Sequence, residues 1–458
     1  MATGSHLIVD IGREDVTRSV RRQRSAVGAP MKPLKCLALR ENRSRQTLPL
    51  DDTMKMFPAL ECDSMHESLG IKVTDTIPRA SIDQFFSALR YFAEQDGAST
   101  FDALRIHLLG ASRRKAPNTA TAMWTVARDI LTELEKLKLA EVGILPRKLS
   151  DVERLKESPS KISKAGAEFA RLYTEKAGRA YDALLIRWLA EHPYFRRLMA
   201  RLLESPLLIP DVTNLRQLGL DGAKGMSAPA VSANLVANCS SRMEAAEWSP
   251  NKLAALRSGI ERRAMEQAEA FSSGHIDAKR LVDVVQDGIV LPAFLEAEGL
   301  PFDPVTFQHM LKCAQEFFCA AWTTSHPRFN GRIVFATCEY DVPFDSDTRT
   351  APSEVVHHGV SYAEPIFAKA ITQAYVAAAG STSAYVSAYG VRAIVCVDLR
   401  IPLVVFARSL ESLISAGSQA ELAIYTELPF EPPPQGESYV EVGKRRIGRL
   451  KVIQKPGG

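Results

Sequence analysis

Five apolar residues, Ala122, Val126, Ile130, Leu134 and Leu137, constrain this chain more than any other feature. They recur every three or four positions and so share one face of a single long helix. The stretch that contains them, SRRKAPNTATAMWTVARDILTELEKLKLAEVG, opens on three consecutive bases, Arg113, Arg114 and Lys115. Short polar residues, Asn118, Thr119 and Thr121, come next, before the apolar face begins. Two shorter helical patterns precede it. SIDQFFSALRYFAEQDG carries Ile82, Phe85, Phe86, Leu89 and Phe92, with Ser81 as the expected N-cap and Gly97 as the stop. STFDALRIHLLG repeats that grammar, with Ser99 as the expected cap, Phe101, Leu104, Ile106 and Leu108 as the apolar face, and Gly110 at the end.

After the long helix the pattern predicts a short strand over residues 141–145, a polar and basic excursion, a second short strand over 160–163, and a new helix opened by ISKAG. Three helices, a two-stranded wing and a closing helix resemble the winged-helix superfamily. The segment ISKAGAEFARLY is similar to the strand–turn–helix that closes the wing in MarR-like members, with Ser163 where threonine is usual. The resemblance covers about residues 81–176 and implies a helix-turn-helix type of DNA contact. A major groove admits one α-helix, whose exposed N-terminal turns read base edges. The candidate DNA-binding residues are therefore Asn118, Thr119 and Thr121 for the bases, and Arg113, Arg114 and Lys115 for phosphate. Arg147 and Lys148 fall where a wing would begin and meet the neighbouring backbone.

A net charge of +4 is too small to argue for nucleic acid alone, but the charge is uneven. Residues 1–50 hold ten bases against four acids with little apolar periodicity, as a basic leader would. That leader has no signal-peptide core, since HLIVDIG is short and already contains Asp10. Seven scattered cysteines make no CxxC pair and no metal spacing, which points to reduced, half-buried thiols in a cytoplasmic protein. No apolar run reaches the ~18 residues of a membrane span. At 458 residues the chain is too long for one ordinary core. The expected layout is a multidomain α+β protein: a weakly structured leader (1–80), a winged helix (81–176), a helical connector (177–325) and a C-terminal α/β domain (326–458).

In the connector, Leu184, Leu185, Trp188 and Leu189 form one face, and Phe195, Leu198, Leu202 and Leu203 another. IPDVTNLRQLG is expected as a short helix. His192 reads as a cap or core histidine. If SAPAVSANLVANCSSRMEAAEW belonged to a second, degenerate helix-turn-helix, Ser227, Ser232 and Asn234 would face the groove. Amphipathic segments continue to residue 318 and suit a linking bundle or a dimer surface.

The final third is expected to alternate strands (GRIVFATCEY, VRAIVCVDL, LVVFA, ELAIYTEL) with helices (YAEPIFAKAITQAYVAAAG, SLESLISAG) and to end in a basic strand or hairpin. In the first of those helices Ile366, Ala370, Ile371 and Tyr375 are expected inward. Acids placed at strand ends, Glu339, Asp341, Asp345, Asp347, Glu354 and Asp398, would suit Mg²⁺-dependent phosphodiester hydrolysis. Nuclease cores of the restriction type usually follow an acid with Glu-x-Lys, whereas VDLR puts Arg400 in the lysine's place. His357 and His358, then Ser381–Ser383, then Glu421 faintly resemble ADP-ribosyltransferase-type domains, which would imply NAD as cofactor. There is no Walker A or dinucleotide glycine loop.

The leading expectation is a DNA-binding protein with a C-terminal effector or partner-binding region, no resident cofactor and no membrane contact. A DNA-targeted enzyme (nuclease with Mg²⁺, or ADP-ribosyl transfer with NAD) and a protein–protein adaptor are the alternatives. A homo-oligomer or a protein partner fits any of the three.

Overall fold

The computed structural model describes residues 80–111, 119–145, 159–212, 227–272, 278–300, 303–340, 352, 354–358, 364–379, 384–416, 422–434 and 437–454. The fold mixes helices with small sheets, an α+β arrangement, and every strand pairing among the described residues is antiparallel.

The first part runs α1 (Ile82–Glu94), β1 (Ala98–Thr100), α2 (Phe101–Ala111), α3 (Thr119–Lys136), β2 (Ala140–Glu141), β3 (Pro159–Ile162) and α4 (Lys164–Glu175). Local chemistry sets these boundaries. Ser81 caps α1 through a capping box: its Oγ accepts from Gln84 N at 3.2 Å, and Gln84 Oε1 accepts from Ser81 N at 3.0 Å. Gly97, at φ +81°, turns the chain into β1. Ser99 is not the cap of α2 but a residue of β1. The hydroxyl of Thr100, one position later, accepts from Ala103 N at 3.3 Å. Ile106, expected inward, is 55% exposed, because α2 turns only Phe101, Leu104 and Leu108 to the core.

β3 lies between β1 and β2, with Ser99 opposite Ser160 and Glu141 opposite Lys161. Ser163 caps α4, accepting from Gly166 N at 3.1 Å while donating to Lys138 O at 3.0 Å. Gly166 lets α4 sit against the end of α3. A Cβ there would lie 2.1 Å from Leu139 O.

The middle part comprises α5 (Ala177–Glu191), α6 (Pro193–Glu204), β4 (Leu207–Pro210), α7 (Ala228–Ala245), α8 (Pro250–Glu266), α9 (Ala268–Ser272) and α10 (Ala278–Asp283). A π-helical turn over Val284–Val290 leads into α11 (Leu291–Ala297) and α12 (Pro304–Glu316). The buried carboxylate of Glu298 gathers this bundle, accepting from Arg201 Nε of α6 at 2.7 Å and Lys252 Nζ of α8 at 2.8 Å. IPDVTNLRQLG opens inside β4 rather than a helix, and residues 213–226 lie outside the described set.

The last part holds β5 (Ala320–Thr323), β6 (Gly331–Ala336), β7 (Cys338–Tyr340), β8 (Val355–His357), α13 (Glu364–Ala379), β9 (Val386–Ser387), α14 (Ala388–Leu399), α15 (Leu403–Ala416), β10 (Leu422–Glu427), β11 (Val440–Val442), β12 (Arg445–Ile447) and β13 (Arg449–Gln454). Two of its expected strands are helices. VRAIVCVDL lies in α14 and LVVFA opens α15. A short continuous apolar run fits a buried helix as well as a buried strand, and the ends decide. Ser387 caps α14, its Oγ accepting from Gly390 N, and Arg400 closes it in the left-handed region at φ 53°. With those strands gone, no parallel α/β layer forms among the described residues. In α13, Ile371 and Tyr375 are buried as expected, but Phe367 takes the inward place of Ile366, which is 40% exposed.

β6 pairs with β4 on one side and β5 on the other, so one sheet joins strands from both sides of residue 325. Buried apolar side chains from Ala80 to Val452 form one contiguous cluster. Among the described residues no helix is long and apolar enough to cross a membrane.

Candidate functional site

In α3 the side chains of Met123, Ala127, Ile130, Leu131 and Leu134 are buried, which fixes the helix by its core face. Thr119 and Thr121 lie in its first turn, with their side chains outside the described set. Arg113, Arg114, Lys115, Asn118, Arg147 and Lys148 also lie outside the described residues. Near the wing position, Lys161 on β3 and Lys164 at the start of α4 are both exposed. Ser232 does not face a groove. It is buried on α7, where the bundle covers it, and this removes one of the three residues of a second helix-turn-helix.

Buried polar groups tie the first part to the rest. His192 is fully buried: its Nε2 lies 2.7 Å from Glu133 Oε1 and its Nδ1 3.0 Å from Lys136 Nζ, so α3 is fastened to the α5–α6 junction. An ammonium only donates, so Nδ1 accepts and Nε2–H donates to the carboxylate. Glu316, at the end of α12, accepts from Ile82 N at 2.7 Å and caps α1 from outside. Tyr181 of α5 donates to Asp83 of α1.

The chemistry expected of the last third is arranged differently. Asp398 is in a helix, not at a strand end, because VRAIVCVDL is helical. Glu339 lies on β7, 3.3 Å from His358 Nε2. Asp341, Asp345, Asp347, Ser381–Ser383 and Glu421 lie outside the described residues. Among the described residues, no group of three or more His, Cys, Asp or Glu could hold a metal ion. His357 is engaged on both ring nitrogens, Nε2 with Asp182 Oδ1 of α5 at 2.8 Å and Nδ1 with Phe318 O at 3.1 Å. Both partners accept, so this geometry favours the doubly protonated ring. Burial alone would lower its pKa, but the Asp182 hydrogen bond and nearby negative charge reverse the sign and raise it above 6.5.

Two histidines thus make stability pH-dependent in opposite directions. The folded pKa of His357 lies above its unfolded value, so its contribution is complete below pH 6.5 and is lost as pH rises through the folded pKa. His326 is the reverse. Burial, then the Arg328 charge, depresses it to about 4, so the neutral ring's contribution is present above 6.5 and is lost as pH falls toward 4. The expected result is a thermal midpoint that declines on the alkaline side of 6.5, with the decline reduced in His357→Gln. Parallel melting profiles for the two proteins above pH 6.5 would show that the His357–Asp182 contact is not an ion pair.

The strongest polar centre is one the sequence pattern did not reveal. Arg392, on the second turn of α14, reaches Glu437 Oε2 at 2.5 Å and Ser438 O at 3.0 Å. Glu437 Oε1 accepts from Thr323 Oγ1 (2.8 Å), Thr324 N (2.6 Å) and Ser325 Oγ (2.9 Å) at the end of β5. Burial would raise the Glu437 carboxyl, but the Thr324 amide and the Arg392 charge hold it below its ordinary value. With side-chain exposures of 2% and 0%, the pair locks three chain segments together rather than meeting a solute. One signal was available: Arg392 is a lone charge inside an apolar run, and a buried guanidinium requires a carboxylate.

No family model, no curated protein and no solved structure matches the chain.

Proposed function

We propose that residues 81–176 form a winged-helix unit that binds DNA, with the first turns of α3 in the major groove and the β2–β3 connection on the flanking backbone. The observation that carries this reading is the element order helix–strand–helix–helix–strand–strand, with the last strand between the other two. That order holds α3 by its apolar face. Its N-terminal end follows directly on Arg113, Arg114, Lys115 and Asn118 in the sequence, and Arg147 and Lys148 fall in the β2–β3 connection. Short polar residues at a helix start, flanked by bases, suit base edges and phosphates respectively. The C-terminal part takes the effector or partner-binding role in this reading.

The test is fluorescence anisotropy of the full chain with a random-sequence duplex across a salt series. Affinity is expected to fall steeply with salt, because each neutralised phosphate releases counterions. Arg113→Ala with Arg114→Ala should make the slope of log K against log salt shallower by ~2, one unit per lost phosphate contact. Arg147→Ala with Lys148→Ala should have a similar effect. A folded protein that does not bind at low salt, or four substitutions that leave the slope unchanged, would refute the reading.

A further inference from the structure

The basic end of the chain, GKRRIGRLKVIQ, contributes no residue to the winged helix or to the buried Arg392–Glu437 pair. It folds as the second arm of the β11–β12 hairpin and then as β13, which lies between β10 and β9 in a three-stranded sheet. Side chains alternate across a sheet. Leu422, Leu450 and Val452 are buried and mark the inner face. Ala423, Tyr425 and Glu427 of β10 therefore share the outer face with Ile453, Lys451 and Arg449, which stand opposite them in β13. On that face Tyr425 is 51% exposed.

A second ring is held at the end of this sheet. The chain leaves β10 through Leu428 and Pro429, and Pro429 packs on the backbone of Gly448, where a Cβ would lie 2.4 Å from Pro429 Cα. Gly448 N donates to Glu427 O at 2.9 Å and fixes the same crossing. Phe430 follows, 81% exposed, with the Arg449 guanidinium 5.5 Å from its ring centre. Arg449 and Lys451 are two residues apart on one strand, a rise of about 6.6 Å, so Phe430 and Tyr425 stand beside neighbouring cations. Arg449 and Lys451 form no salt bridge among the described residues, and neither do the exposed Lys444 and Arg445 at the β11–β12 turn. Arg446, by contrast, pairs with Glu441 at 3.2 Å. Two carboxylates, Glu427 opposite Arg449 and Glu431 after Phe430, offset only part of this positive charge.

We propose that this outer face binds single-stranded DNA, with Tyr425 and Phe430 as base-stacking rings and Arg449 and Lys451 as phosphate contacts. Scattered exposed apolar residues are ordinary. Two exposed rings beside two cations outside any salt bridge are what unstacked bases and their phosphates require. A duplex keeps its base faces inside its own stack and has no use for the rings. An acidic peptide would use the cations and leave the rings in water. Ring planes and phosphates are both supplied by DNA, and no 2′-hydroxyl is needed. The face lies on β10, β13 and the loop after β10 and includes no residue of α3, so it is independent of the winged-helix contact.

The test is fluorescence anisotropy of the full chain with a labelled oligothymidylate of about 20 nucleotides. A duplex, an oligouridylate of equal length and polyglutamate serve as comparisons. Tyr425→Ala and Phe430→Ala should each weaken oligothymidylate binding about tenfold, while Tyr425→Phe keeps it within about twofold. None of the three should change duplex affinity. Arg449→Ala with Lys451→Ala should make the salt slope shallower by ~1.4, for two single-strand phosphate contacts. A thiothymidine-bearing oligomer should photocross-link to Tyr425, Phe430 or their neighbours on β13, mapped by mass spectrometry. Arg113→Ala with Arg114→Ala should leave that cross-link intact, which separates a failed duplex contact from a failed single-strand contact. The proposal is overturned if the folded chain does not bind the oligomer at low salt, or if the two alanine variants bind as tightly as the parent. Displacement by polyglutamate as readily as by unlabelled oligomer would reduce the face to a reader of charge and overturn it. Oligouridylate binding more than about tenfold tighter would make the ligand RNA, with the same consequence. So would a change of oligomeric state in the alanine variants by light scattering, which would give the rings to a second copy of the chain.

Discussion

An Arg392→Met variant is expected to lose about 3–5 kcal/mol of unfolding free energy, the usual cost of removing one partner from a buried ion pair. The cost arises at Glu437. Its carboxylate keeps the hydrogen bonds from Thr323, Thr324 and Ser325 but loses the guanidinium at 2.5 Å, and at 0% exposure water cannot replace it. Glu437→Met strands the arginine in the same way and should cost a similar amount. The double replacement Arg392→Met with Glu437→Met should be milder than the sum of the two, because no unpaired charge remains. Urea denaturation of the four proteins completes the cycle. Single-variant losses below about 1 kcal/mol would place the pair with solvent-screened surface bridges and contradict the buried geometry.

Trp188→Ala is expected to cost a further ~3–5 kcal/mol, the range for truncating a large buried aromatic side chain. Trp188 is fully buried on α5 and meets Phe317 edge-on at 5.3 Å and Phe195 at 5.7 Å. Phe317 in turn meets Tyr181, which stacks on Phe86 of α1 at 5.2 Å, and Phe86 stacks on Tyr173 of α4 at 4.4 Å. This line of rings runs from α1 and α4 through α5 to the C-terminal end of α12. Removing Trp188 should therefore raise amide exchange in α1 and α12 as well as lower global stability. Trp188→Phe keeps a ring and should cost clearly less. Equal losses for the two variants, or exchange changes confined to α5, would show that the ring line does not couple the two parts.

Much of the first part was legible because its determinants are local. The capping box of α1 needs only Ser81 and Gln84, and the core face of α1 follows from a repeat of three or four residues; in α3 the same repeat finds Ile130, Leu134 and Leu137, but in the first half Met123 and Ala127 are buried and Val126 is half-buried. The turn at Ser163 and Gly166 was visible as ISKAG for the same reason. Legibility failed where a segment is apolar on all sides. Residues 391–399 fit a strand or a helix equally well by composition, and reading them as a strand carried Asp398 to a strand end it does not occupy. Ser99 and Thr100 are neighbours and both can cap; it is the extent of β1, which ends at Thr100, that gives the capping role to Thr100.

The sequence by itself determined the helices that have one apolar face and a hydroxyl at the entrance, since periodicity and capping act within a few residues. Only the tertiary structure decided which distant groups meet: Glu316 on the amide of Ile82, Asp182 on His357, Glu437 on Arg392 and Cys338 Sγ beside Cys319 O. These contacts join residues 234, 175 and 45 positions apart in the first three cases. A buried charge or thiol requires a partner, but the chain's own order does not name it. The packing of one apolar cluster around several small sheets does, because it fixes which polar groups are shut away from water together.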